Sequence, residues 1–268
     1  MIYQQLHGSA KCDTVYFKSE DAILTGYFFS SEIDYSPTLI FLQGFMETGD
    51  IWNLGKTLSN NGINVFMFDF RGCFGSTGKQ GLLNSQKDID GAFNFLKSKE
   101  FSNLYKIDSS NIILGGYSYG GHMAMLYSIY HSKIKRIISI AGGDLGIFAS
   151  LLIERPELWN SYFNFFNSIK KPIGPVEFVY DNPIDELLEN QSYFSICNNA
   201  TFLQRTDILL IAGLDDQTVL LEKQIIPIYR ELKKNKHQKV KIIIYETDHS
   251  FKDVSNRMME ELKNWINY

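Results

Sequence analysis

Apolar residues along this chain follow two alternating patterns. Short unbroken runs at 38–42, 63–68, 111–114, 135–140, 207–212 and 240–245 read as strands buried on both faces. Between them, 52–60, 88–99, 119–130, 219–234 and 252–266 carry apolar residues at helical spacing. In 88–99, Ile89, Ala92, Phe93 and Leu96 form one face and charges the other. Ahead of this series, 14–18 and 22–29 read as two strands joined by the turn Ser19-Glu20-Asp21. The alternation predicts an α/β fold: a mostly parallel central sheet with helices on both faces. In such sheets ligands bind beyond the carboxyl ends of the strands, so each strand–helix junction is a candidate for chemistry.

The alternation stops between about 145 and 205, where no run has the character of a buried strand. That stretch is rich in aromatics, with Phe148, Trp159, Tyr162, Phe163, Phe165 and Phe166 in its first half, and is broken by Pro156, Pro172, Pro175 and Pro183. It predicts an inserted, mostly helical cap at 145–205 on a core made of 1–144 and 206–268. Most of its aromatics are expected in the cap's own small core, and some in the wall of an apolar pocket.

At 268 residues the chain can bury a large core without disulfides or metals. Its net charge of −4 and the lack of a dense basic run argue against nucleic-acid binding. Lys233, Lys234, Lys236, Lys239 and Lys241 straddle a predicted helix end and the next strand, where solvated lysines are ordinary. The three cysteines, Cys12, Cys73 and Cys197, form no C-x-x-C pair, which suggests reduced thiols and a cytoplasmic location. Residues 1–10 are mixed and polar, without the pattern of a signal peptide, and no window of about 18 apolar residues predicts a membrane span.

The candidate chemistry starts at Gly116-Tyr117-Ser118-Tyr119-Gly120, a G-x-S-x-G turn between an apolar strand and a helical pattern. Such a turn pushes the serine hydroxyl outward and needs small neighbours where strand and helix approach. A serine needs a base to become a nucleophile, and an acid to orient that base. Of five histidines, His7 lies in the polar N-terminal tail, His122 follows the serine on its helix, and His131 and His237 fall near helix ends. Only His249 sits on a loop at the carboxyl end of a strand, so it is the expected base. Asp215 and Asp216 after strand 207–212 are candidate acids, one of them also a candidate helix N-cap; Asp144 is a third. Oxyanion donors are expected from the backbone N–H of Tyr119 and of Phe45, with Met46 as the next choice. The glycine-rich loop 69–78 fits neither a phosphate loop nor a dinucleotide fingerprint, and a structural role is expected, with Arg71 paired to a carboxylate. No His/Glu cluster has metal-ligand spacing, so neither a metal nor a cofactor is expected.

Taken together these residues resemble the α/β-hydrolase family. The resemblance rests on Gly116-Tyr117-Ser118-Tyr119-Gly120, the D-x-R-G start of Asp69-Phe70-Arg71-Gly72, the G-x-x-D of Gly213-Leu214-Asp215-Asp216, and His249, in that family's order. It implies the α/β-hydrolase fold and places the acid at Asp216. The nucleophile region also resembles that of prolyl-oligopeptidase-like and dienelactone-hydrolase-like enzymes. One departure is Gln43-Gly44, where the family commonly has His-Gly. The implied activity is a serine hydrolase cleaving carboxylic esters, with Ser118, His249 and Asp216 as its triad and a small ester or acyl compound, apolar or aromatic, as substrate. The same triad would also serve a small aminopeptidase, with Glu154, Glu157 or Glu177 holding the substrate amine, or an amidase or a thioesterase. A non-catalytic binding protein is the alternative of another class.

Overall fold

Each strand at the centre of this protein feeds two cores at once. In β3 (Thr38–Leu42), Leu39 and Phe41 pack into one apolar cluster while Ile40 and Leu42 pack into the other, on the opposite face. That is why the central strands read as unbroken apolar runs. The computed structural model describes residues 12–236 and 239–268; His7, His237 and the reading of residues 1–10 lie outside the described residues.

The remaining strands are β1 (Cys12–Ser19), β2 (Ala22–Phe29), β4 (Asn64–Phe68), β5 (Ile112–Tyr117), β6 (Arg136–Ile140), β7 (Asp207–Gly213) and β8 (Val240–Tyr245). They form one sheet in the order β1-β2-β4-β3-β5-β6-β7-β8. β1, β2 and β4 pair antiparallel, and every pair from β4 through β8 is parallel. The helices are α1 (Leu54–Ser59), α2 (Leu82–Leu96), α3 (Lys99–Leu104), α4 (Tyr119–Tyr130), α5 (Leu145–Glu154), α6 (Pro156–Ile169), α7 (Pro183–Glu189), α8 (Gln191–Phe194), α9 (Ile196–Asn199), α10 (Ile226–Lys234) and α11 (Ser255–Asn267). Five of them, α5 to α9, lie between β6 and β7, in the stretch where the strand pattern stops.

Among the boundaries that differ from the sequence reading, three have a clear physical reason. β5 runs through Gly115 and Gly116 to Tyr117 because β3 on one side and β6 on the other supply ladder partners for them. α2 begins at Leu82, not near 88, because the Glu186 carboxylate on α7 accepts the amides of Leu82 and Leu83 at 2.7 and 3.0 Å. This cap comes from about a hundred residues away, and a carboxylate at a helix N-terminus also offsets the helix dipole. The expected helix 219–234 opens as a π-turn at Leu221–Ile225 before α10. Pro227 has no N–H to continue the ordinary ladder, and the amide of Ile226 reaches back to Leu221 instead.

Arg71 does pair with a carboxylate. Its Nε meets Asp88 Oδ1 at 2.7 Å and its backbone N–H donates to Oδ2 at 2.9 Å, both groups being buried. Its Nη2 also donates to Ser19 Oγ, tying the β1–β2 turn to α2 and to the loop beside the site.

Candidate active site

Ser118 occupies the junction of β5 and α4 with φ 52° and ψ −116°, a conformation that L residues rarely adopt. Close approach enforces the two flanking glycines. A Cβ on Gly120 would lie 2.1 Å from the Leu42 carbonyl oxygen, and one on Gly116 would lie 2.3 Å from the backbone of Gly120. The turn is held from below, where Ser118 N donates to the Ile140 carbonyl at 2.8 Å.

His249 follows β8, and Asp216 follows β7, two strands from β5 in the sheet. His249 Nε2 lies 3.0 Å from Ser118 Oγ, and its Nδ1 lies 2.6 Å from Asp216 Oδ2. A carboxylate only accepts, so Nδ1 holds the ring proton and Nε2 is left as the acceptor for the serine hydroxyl. Asp216 is buried, and its other oxygen accepts the amides of Thr218 and Val219 at 2.8 Å each. One oxygen thus meets His249 and the other holds the bend at 217–219. Neither aspartate is the expected helix N-cap, because the helical turn starts only at Leu221 and its N-cap, Leu220, has no side-chain cap. Asp215 is exposed. Asp144 lies elsewhere, capping α5 through the amides of Gly146 and Ile147 and accepting the Cys197 amide.

Two aromatic residues that the sequence reading left unassigned fix the histidine loop. Tyr117 donates its hydroxyl to the His249 carbonyl at 2.6 Å, and Trp52 Nε1 donates to the Ser250 carbonyl at 2.8 Å. No local signal marks either contact, since each joins residues more than a hundred positions apart. Burial raises the Tyr117 phenol well above its ordinary value, so it stays a donor. Nearby, Glu47 has a buried Oε2 without a partner among the described residues; burial raises its carboxyl, opposed by the charge of His249. Burial likewise raises the thiols of Cys12 and Cys73, to about 11 and about 12, which leaves neither as a ready thiolate.

The amides of Phe45 and Tyr119, the expected oxyanion donors, donate to no protein acceptor among the described residues. The two side chains meet edge to face, with ring centroids 5.4 Å apart. Both line a cavity of about 650 Å³ whose wall also includes Ser118 and His249. From the α5–α9 stretch, Phe148, Tyr162, Phe165 and Phe166 face this cavity. α6 has no fully buried residue: Leu158, Tyr162, Phe165 and Phe166 line the cavity, while Trp159, Phe163 and Ile169 pack partly buried against the core. Glu154, Glu157 and Glu177 do not line it; Glu186 does, with its carboxylate engaged by α2. His131 is remote, stacked on Tyr127.

A profile of the alpha/beta hydrolase fold matches residues 37–178, just over half the chain and the span that holds both the Ser118 turn and the Arg71 loop. The chain belongs to the alpha/beta hydrolase fold family. No curated protein matches this hydrolase-fold chain. Among solved structures, the esterase Pf2001 of Pyrococcus furiosus superposes with a TM-score of 0.66 at 19% identity, covering 98% of this chain and 99% of that one. The acylaminoacyl peptidase of Pyrococcus horikoshii gives 0.67 at 20% identity over 97% of this chain but only 41% of its own. Acetyl xylan esterase 1 of Thermoanaerobacterium gives 0.63 at 18% identity, over 97% and 87%. At these identities the likeness is one of fold. Among the described residues, no helix of this family member is long and apolar enough to cross a membrane.

Proposed function

We propose that this chain is a serine hydrolase that cleaves carboxylic esters. The observation that carries the reading is the unbroken hydrogen-bonded series Ser118 Oγ, His249, Asp216 at 3.0 and 2.6 Å, opening on an aromatic cavity. In this reading His249 Nε2 takes the Ser118 proton as Oγ attacks the ester carbonyl, and Asp216 stabilises the imidazolium that forms. The amides of Phe45 and Tyr119 receive the developing oxyanion. The proton on His249 then passes to the leaving alcohol, and water, activated by the same histidine, releases the acid from the acyl-enzyme. Water is the only co-reactant. The stretch 145–205 acts as a cap whose aromatics select an apolar or aromatic group.

The fold neighbours include both esterases and an acylaminoacyl peptidase and do not separate ester from peptide cleavage. The cavity's buried carboxylate, Glu186, already accepts two amides and is poorly placed to hold a substrate amine, which favours ester over aminopeptidase action. Wild-type protein should hydrolyse p-nitrophenyl butyrate, and Ser118→Ala should lose about 100,000-fold or more in kcat. Wild-type turnover by Ser118→Ala would end the proposal, and faster cleavage of aminoacyl-naphthylamides than of esters would replace it with an aminopeptidase.

A further inference from the structure

His122 stands one turn beyond Ser118 on α4 and is 1% exposed. Its Nδ1 lies 2.8 Å from the Gly143 carbonyl oxygen. A carbonyl only accepts, so Nδ1 carries the proton and Nε2 presents a lone pair. The Leu145 amide reaches only to 3.5 Å of the same Nδ1, too far to set the tautomer against that bond. Burial keeps the ring neutral by lowering its pKa to about 4. Nε2 is buried without a partner among the described residues, although His122 lines the cavity. An acceptor left so in a folded protein is costly and uncommon, and calls for an explanation.

Gln224 supplies a second unused group on the same wall. It is 5% exposed, lines the cavity, and its side-chain amide makes no hydrogen bond among the described residues. It stands in the π-turn ahead of α10, an irregularity often found at functional sites. Its Oε1 packs on Gly143 so closely that a Cβ there would lie 2.1 Å away. Gly143 thus holds both side chains, His122 by its carbonyl and Gln224 by its missing Cβ. Apolar side chains on the same wall include Leu145, Phe148 and Val219.

We infer that His122 and Gln224 form a polar subsite that selects substrates bearing an uncharged hydroxyl on an otherwise apolar chain. The inference rests on the ester-hydrolase reading above and deepens it. A hydroxyl is both donor and acceptor: it gives its proton to His122 Nε2 and receives an N–H from the Gln224 amide. An anionic group would face the Nε2 lone pair and be repelled. Apart from the backbone bond from the His122 N–H to the Ser118 carbonyl, neither residue hydrogen-bonds to Ser118, His249 or Asp216, and neither side chain does, so the subsite acts on substrate choice and not on the proton path.

The test compares kcat/KM for ethyl hexanoate and its monohydroxylated analogues, and for hexyl acetate and its own, by titrating the released acid. The two series separate an acyl-side from an alcohol-side hydroxyl. At least one analogue should exceed its parent by about ten-fold, the scale expected when the unpaired His122 Nε2 gains a hydrogen bond. His122→Leu and Gln224→Leu should each bring that ratio toward one, and Gly143→Ala, which displaces the Gln224 amide, should lower it. Turnover of the parent ester by each variant reports that its site is folded. Should His122→Leu fail to fold, Gln224→Leu and Gly143→Ala carry the comparison. A wild type that favours no hydroxylated analogue in either series overturns the inference, as does a ratio unchanged in the variants. Wild-type hydrolysis of the parent esters, lost in Ser118→Ala, keeps the ester-hydrolase reading standing in either event.

Discussion

Asp216→Asn changes one atom of the carboxylate and separates its two jobs. Oδ1 accepts the Thr218 and Val219 amides at 2.8 Å, while Oδ2 meets His249 Nδ1 at 2.6 Å. Asparagine keeps the turn by aiming its oxygen at the two amides, which points its NH2 at Nδ1. Two donors cannot face one another, so the imidazole moves its proton to Nε2 and confronts Ser118 as a donor, no longer as a base. In serine proteases the equivalent wrong tautomer lowers kcat by about ten-thousand-fold, or about 5.4 kcal/mol. The turn survives, so the melting temperature should stay within about 2 °C of wild type. Asp216→Ala loses both jobs. It frees two amides at a bend that water reaches, a loss of about 1–2 kcal/mol together, the size of a lost cap, which lowers the melting temperature by roughly 5 °C in a chain of this size. Ester hydrolysis and thermal melts on the wild type and both variants read the two effects separately. Asp216→Asn with wild-type kcat would refute the tautomer argument, and coincident melts of the two variants would refute the turn argument.

Gly120→Ala puts a Cβ 2.1 Å from the Leu42 oxygen and 2.6 Å from that of Gln43, both of them backbone atoms. β3 and α4 would have to part, so a loss above about 4 kcal/mol, seen as little soluble protein, is expected; a normally folded variant contradicts the close-approach argument. Arg71→Met leaves the Asp88 carboxylate buried without its partner at 2.7 Å, at about 3–5 kcal/mol in urea unfolding. Adding Asp88→Leu should recover much of that loss, and no recovery would show that the pair is not the cause. His122 is held at about 4 against an ordinary 6.5, so between these values the unfolded chain binds more protons than the folded one. Its contribution is complete above about pH 6.5 and shrinks as the pH falls toward 4, by up to on the order of 3 kcal/mol. His122→Leu should flatten that part of the stability curve, whereas an unchanged slope would assign it to other groups.

Much here was legible locally. Apolar runs bounded by glycine, proline and aspartate marked the strands from β3 through β7, because burial on two faces favours apolar residues. The run at 240–245 also marked a strand, but β8 ends the sheet and leaves Lys241 and Ile244 exposed, so it is not buried on both faces, contrary to the sequence reading. The stop in alternation at 145 marked the helical stretch α5–α9. Ser118, His249 and the Asp215-Asp216 pair could be named as candidates because each stands where a strand ends, and that much is a matter of neighbouring residues. Tertiary contact decided the rest. The order β5-β6-β7-β8 sets Asp216 and His249 on adjacent strands, within reach of Ser118 across β6. Glu186 fixes where α2 starts, Tyr117 and Trp52 fix where the histidine loop sits, and Gly143 brings His122 and Gln224 to one wall. Periodicity reports only on which face a residue is buried; a hydrogen bond between side chains a hundred positions apart depends on how the elements stack, and leaves no trace in the order of residues beside it.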